Sequence, residues 1–194
     1  MPARNACAIG ARWVYRSTAS GCMASLLGKR PDLIYSDSDH CVSLLGNVII
    51  SFSLQPPNPS YLKAWTKAMD HLVESTSGPI AIATIIDSRS RPPDETSKRA
   101  IRATVSKHAA RTCAFVYVVE GQGFAAAAMR SALSLISLTA RYPFPQKVFA
   151  NVPAGTAWLF QRMESVAVTS ATSREIGSTV ETMRSRVKHL ATAV

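Results

Sequence analysis

What this sequence lacks narrows it first. No apolar run approaches the roughly 20 residues of a membrane span. The longest, 79–86 and 113–119, fit single buried strands. The four cysteines, Cys7, Cys22, Cys41 and Cys113, form no CxxC pair. No histidine stands at a ligand-like offset from two of them, so the common zinc patterns are excluded. The cysteines show no paired spacing, and a reducing, cytoplasmic setting fits best. His40, His71, His108 and His189 are scattered over different predicted elements. No Ser-His-Asp order and no nucleophile elbow is present. The chain therefore reads as a non-enzyme without cofactor or metal.

Acidic residues are missing from residues 1–31, which carry Arg4, Arg12, Arg16, Lys29 and Arg30. This stretch supplies half of the net charge of +10, whereas residues 32–164 hold 13 basic and 10 acidic residues. The basic excess therefore lies largely outside the patterned core. A leader rich in Arg, Ala and Ser and free of acids has the composition of an organelle transit peptide. Simple disorder, or a start codon placed too early, explains it equally well. Residues 1–31 are expected to be disordered and dispensable to the fold. A basic helix face at 94–111 lacks interleaved aromatics, which argues against specific nucleic-acid binding.

What is present is an ordered series of apolar blocks. Residues 42–45 and 48–54 are strand-like and flank Gly46-Asn47, a hairpin signal of type I′ or II′. Asn58 and Pro59 open a helix over 59–74, with Leu62, Trp65, Met69, Leu72 and Val73 on one face. Residues 79–86 form a buried strand, 94–110 a helix, 113–119 a second buried strand and 124–140 an Ala-rich helix. A short strand at 147–150 and a helix at 154–163 complete the series. The prediction is one α/β domain over 32–163, a mixed sheet of about five strands with four helices. Residues 164–194 are read as a linker and an amphipathic helix. There Ile176, Val180, Met183, Val187 and Leu190 recur at heptad spacing. That stripe either packs on its own domain or forms a homodimer.

Strand–strand–helix followed by three strand–helix units resembles the STAS domain, the sulfate transporter and anti-sigma-factor antagonist module. In that family a phosphorylatable serine follows an aspartate where the central strand ends. Ile86-Asp87-Ser88-Arg89-Ser90 occupies that place here, without the family's glycine and with Arg91-Pro92-Pro93 lengthening the loop. The resemblance implies a signalling or protein-interaction module with an unidentified protein partner. It points to Ser88 or Ser90 as phosphoacceptor, with Arg89, Arg91 and Arg99 beside it to hold phosphate. Asp87, Arg89, Arg91 and Arg99 then form the partner surface. A strand-end turn is the plainer account of Asp87 and Ser88.

A second candidate edge is Glu120 with Gly121 and Gly123. The Gly-Gln-Gly turn between strand and helix offers an anion site, or simply lets an Ala-rich helix pack closely. Parallel strands would bring Asp87 and Glu120 to one edge of the sheet. An alternative function, binding of a small apolar or lipid-like ligand between sheet and helices, stands beside the signalling reading.

Overall fold

A computed structural model of the protein describes residues 30–87, 89–168 and 170–192. The leader, except for Arg30 and Pro31, lies outside the described residues, as does Ser88.

The hairpin sits where the sequence places it. β2 (His40–Leu45) and β3 (Val48–Ser53) pair antiparallel, with Leu45 opposite Val48. Gly46 carries φ +57° and Asn47 does not share the positive sign, which selects the type II′ pattern over I′. Ahead of them β1 (Asp32–Ser36) pairs antiparallel with β2, an edge strand additional to the five expected. Its register shifts between Leu33 and Tyr35.

From β3 onward the chain alternates. α1 (Pro59–Ser75) leads to β4 (Ile80–Ile86), α2 (Glu95–Lys107) to β5 (Thr112–Val119), and α3 (Phe124–Thr139) to β6 (Gln146–Phe149). α4 (Val152–Glu164) and α5 (Ser173–Thr192) follow. The caps are those read from sequence: the Asn58 side chain accepts from Tyr61 N–H, and that of Asp94 from Ser97 N–H. The element order from β2 to α4 is STAS-like.

The six strands lie in the order β1-β2-β3-β4-β5-β6, parallel from β3 to β6. The order never reverses. Three right-handed crossovers stepping the same way place α1, α2 and α3 on one face of the sheet. Val42, Ile49, Ile80, Ile82 and Phe115 pack there against Trp65, Met69, Leu72 and Val105. The opposite face carries Val48, Ile50, Phe52, Ala83, Val116 and Val118 and is covered by α4 and α5.

The C-terminal stripe is thus part of the main core. Ile176, Val180, Met183 and Val187 are all at or below 2% exposure against β2, β3 and α4. This corrects the expectation of a homodimer through that stripe. Its apolar surface is already consumed within the chain, with only Leu190 partly exposed.

α4 approaches the sheet closely because Gly155 faces it. A Cβ at that position would stand 2.6 Å from Val118 Cγ2, the end of a stiff β-branched side chain in the central sheet. Gly155→Ala should therefore lower stability by about 1–3 kcal/mol despite its gain in helix propensity. Urea unfolding of the purified variant checks this; an unchanged or raised midpoint would show that the helix moves aside freely.

Candidate functional site

The helical cover over β4 and β5 is incomplete. Between α1 and α2 on one side and α3 on the other lies a cavity of about 120 Å³. Its floor is Thr84, Ile86, Phe115 and Tyr117, and its walls include Trp65, Ile101, Val105, Met129, Leu133 and Ile136. Ser53, Gln55, Pro57, Ser90, Arg91, Lys98 and Arg102 border it toward the carboxyl ends of the strands. The lining is mainly apolar. Burial pushes the Tyr117 phenol up, so it stays protonated. The indole Nε1–H of Trp65 is fully buried without a hydrogen bond among the described residues and does not open on the cavity.

Charge at the border has one sign. Arg91 and Arg102 form no ion pair among the described residues, while Lys98 Nζ is 2.8 Å from Glu95 Oε1. Arg99, grouped with these residues in the sequence reading, is exposed and does not line the cavity.

The strand-end carboxylates lie on the adjacent ends of β4 and β5. Asp87 N–H donates to Ser53 O, and Glu120 N–H donates to Ile86 O. Each carboxylate has its own arginine. Arg89 Nε is 2.9 Å from Asp87 Oδ1, and Arg184 Nη2 is 2.7 Å from Glu120 Oε2. Burial raises Asp87, but the hydrogen bonds and charge of Arg89 outweigh it and hold the carboxyl below its ordinary range. The Arg184 guanidinium also lies over the Phe52 ring at 5.3 Å. Neither carboxylate lines the cavity.

Ser90 is buried at 8% exposure, and its hydroxyl donates to Arg91 O. It therefore belongs to the cavity border rather than to an open loop. Gly121 and Gly123 carry φ +96° and +89°, and Gly123 caps α3. A Cβ on Gly123 would meet nothing within 4 Å, so the backbone angle, not a close approach, calls for glycine there. The monotonic strand order has no switch point of the kind that dinucleotide folds use.

A polar network outside the sequence reading anchors this rim. His40 is 1% exposed. Its Nδ1 lies 3.2 Å from Asp37 Oδ1, and its Nε2 lies 3.2 and 3.0 Å from the carbonyls of Gln55 and Pro56. The Tyr35 hydroxyl and the Asn58 amide also donate to Asp37 Oδ2. The His40 ring packs on Tyr61, a cavity-lining residue, at 4.7 Å. Trp65 and Tyr61 gave no functional signal in sequence, because their spacing on α1 is that of any core-facing pair.

Among the described residues no three His, Cys, Asp or Glu side chains cluster as metal ligands. Burial pushes the Cys41 thiol up to about 12, far from a reactive thiolate. No helix among the described residues is long and apolar enough to cross a membrane.

No family model and no curated protein matches the chain. Among solved structures, it is similar to an uncharacterized protein of the DUF3478 family with a SpoIIAA-like fold from Shewanella loihica PV-4. The two are 14% identical, with 72% of this chain and 99% of that chain covered and a TM-score of 0.46.

The Asp37 network sets a pH dependence. Burial raises the Asp37 carboxyl, but hydrogen bonds from His40 and Tyr35 prevail and hold it well below the usual carboxylate range. A carboxyl depressed by folding stabilises the protein above its unfolded pKa of about 3.9, and that contribution is lost as pH falls. Asp37→Asn should lower stability at neutral pH by about 2 kcal/mol. Its unfolding midpoint should then fall less steeply than the wild type's between about pH 5 and pH 2. Parallel midpoint curves in a urea–pH matrix would exclude this role.

Proposed function

We propose that this protein is a non-catalytic binding module that holds a small ligand with an apolar body and an acceptor or anionic group. The observation that carries this reading is the cavity between the sheet and α1–α3, apolar in its walls, with the Tyr117 side chain in its floor and Arg91, Lys98 and Arg102 at its border. An apolar cavity of about 150 Å³ is known to take benzene, so about 120 Å³ suits a single small ring or an acyl chain of about six carbons. The Tyr117 hydroxyl supplies a hydrogen bond from within. Arg91, Lys98 and Arg102 supply charge at the border. A carboxylate or phosphate there satisfies groups that the fold leaves open.

This reading accounts for the site better than phosphorylation at Ser90 does. The Ser90 hydroxyl is buried and Arg89 is engaged with Asp87. A kinase would have to open the rim to reach it. Where the protein acts in signalling, the ligand is then the input that a partner surface over Asp87–Arg91 reports.

Hexanoate and benzoate are suitable probes, with hexanol as the neutral control. Each should raise the melting temperature as its concentration passes its Kd. Arg91→Gln combined with Arg102→Gln should weaken hexanoate by about tenfold and leave hexanol nearly unchanged. Leu133→Trp fills the cavity and should abolish the response to both. Native mass spectrometry of the freshly purified protein should show a small co-purifying mass. A clean apo mass together with no thermal response to any of the three probes would overturn the proposal.

A further inference from the structure

α3 is covered on one side only. Ala126, Met129 and Leu133 are buried on its inner side. Phe124, Leu135 and Leu138 are 89%, 63% and 81% exposed. Positions 124, 128, 131, 135 and 138 step along one helical stripe, so Ala128 and Ser131 continue the same face. A single exposed leucine means little. Here three of the four large hydrophobic residues exposed among the described residues share one stripe of one helix, and that needs an occupant.

Charge selects it. From Gly121 to Phe149, the segment of α3 and β6, the chain has three basic residues, Arg130, Arg141 and Lys147, and no acidic one. Across the cavity, α2 adds Lys98, Arg99 and Arg102. A second copy of the chain would bring the same positive surface. Residues 1–29 are basic and free of acids as well. Both are disfavoured by like charge. The face presents projecting side chains rather than a groove, which suits insertion into a soft layer. An anionic lipid surface offers negative charge above an apolar layer, and so meets both features.

We infer that the outer face of α3 docks on an anionic membrane surface. Phe124, Leu135 and Leu138 enter the headgroup–acyl boundary, and Arg141 lies against lipid phosphates. Ala140 and Tyr142, on either side of Arg141, line the cavity, as do Met129, Leu133 and Ile136 from α3 itself. The same helix therefore forms a cavity wall on its inner side and the membrane contact on its outer side. Lys147 is held over the Phe149 ring at 5.2 Å, and Arg130 Nη1 donates to Val119 O and Gly121 O, so neither is needed for the contact.

The test is flotation of the full chain with vesicles of phosphatidylcholine alone or with roughly 30% phosphatidylglycerol added. Binding is expected only to the anionic vesicles and should weaken as salt is raised. Phe124→Ser combined with Leu138→Ser should reduce it at least about tenfold, and Arg141→Glu by several-fold, roughly. All three positions are exposed, so melting temperature should not move. Leu135→Gln with Arg141→Glu decides the matter if the serine pair fails to fold. Equal binding to neutral vesicles, or none to either, would overturn the inference. So would undiminished binding by the α3 variants, which would assign adhesion to the basic leader. A concentration-dependent dimer abolished by Phe124→Ser would instead make a second copy the occupant. Hexanoate binding that survives in these variants separates this surface from the cavity reading.

Discussion

Two-sided burial of β4 and β5 is the constraint from which the rest of the structure follows. Ile80–Ile86 and Thr112–Val119 are apolar on both faces, so neither face can be left to solvent. The parallel strands require crossovers, and with the order running β3-β4-β5-β6 every crossover falls on the same side. α1, α2 and α3 therefore crowd one face, and the other is closed only by chain that comes after β6. That is why α4 must come close enough to need Gly155, and why α5 spends its heptad stripe inside the core. A helix that looks in sequence like an appendage is half of the cover on one face.

The cavity is a consequence of the same arrangement. α1 packs deeply through Trp65, Met69 and Leu72. α3 meets the sheet through a small separate cluster of Val119, Met129 and Leu133. Between these two modes of packing the cover does not close, and Tyr117 and Phe115 are left as a floor. Dense interiors tolerate few voids larger than a water molecule.

Much of the fold was legible in the sequence because its signals are periodic and local. Gly46-Asn47, Asn58-Pro59 and Asp94 mark their turns and caps through short-range geometry. β1 was missed because Asp-Leu-Ile-Tyr-Ser is brief, begins and ends in polar residues, and gains its identity only by pairing with β2. The heptad stripe was read correctly as an apolar face, but spacing alone does not name what covers it. The site was least legible. Its walls come from well-separated elements, and Trp65 and Tyr117 look like ordinary core residues in sequence. What distinguishes them is a place on the lining of one cavity, and that exists only in three dimensions.

The sequence drew attention to Asp87 and Glu120 as a pair of carboxylates on one sheet edge, and their placement bears on binding in an unexpected way. Each is neutralised locally, Asp87 by Arg89 and Glu120 by Arg184, whose guanidinium is further held over Phe52. Asp37, a third half-buried carboxylate near this end of the sheet, is matched by His40 and Tyr35. An anion approaching the carboxyl ends of the strands therefore meets no free carboxylate from these three residues. It does meet Arg91 and Arg102, which form no close ion pair among the described residues, although Glu95 lies within electrostatic reach of Arg102. Net charge says little about such a site. What matters is that the acids near it are paired inward while two of the bases are left open, so the potential at the cavity border is positive even though residues 32–164 carry nearly balanced charge.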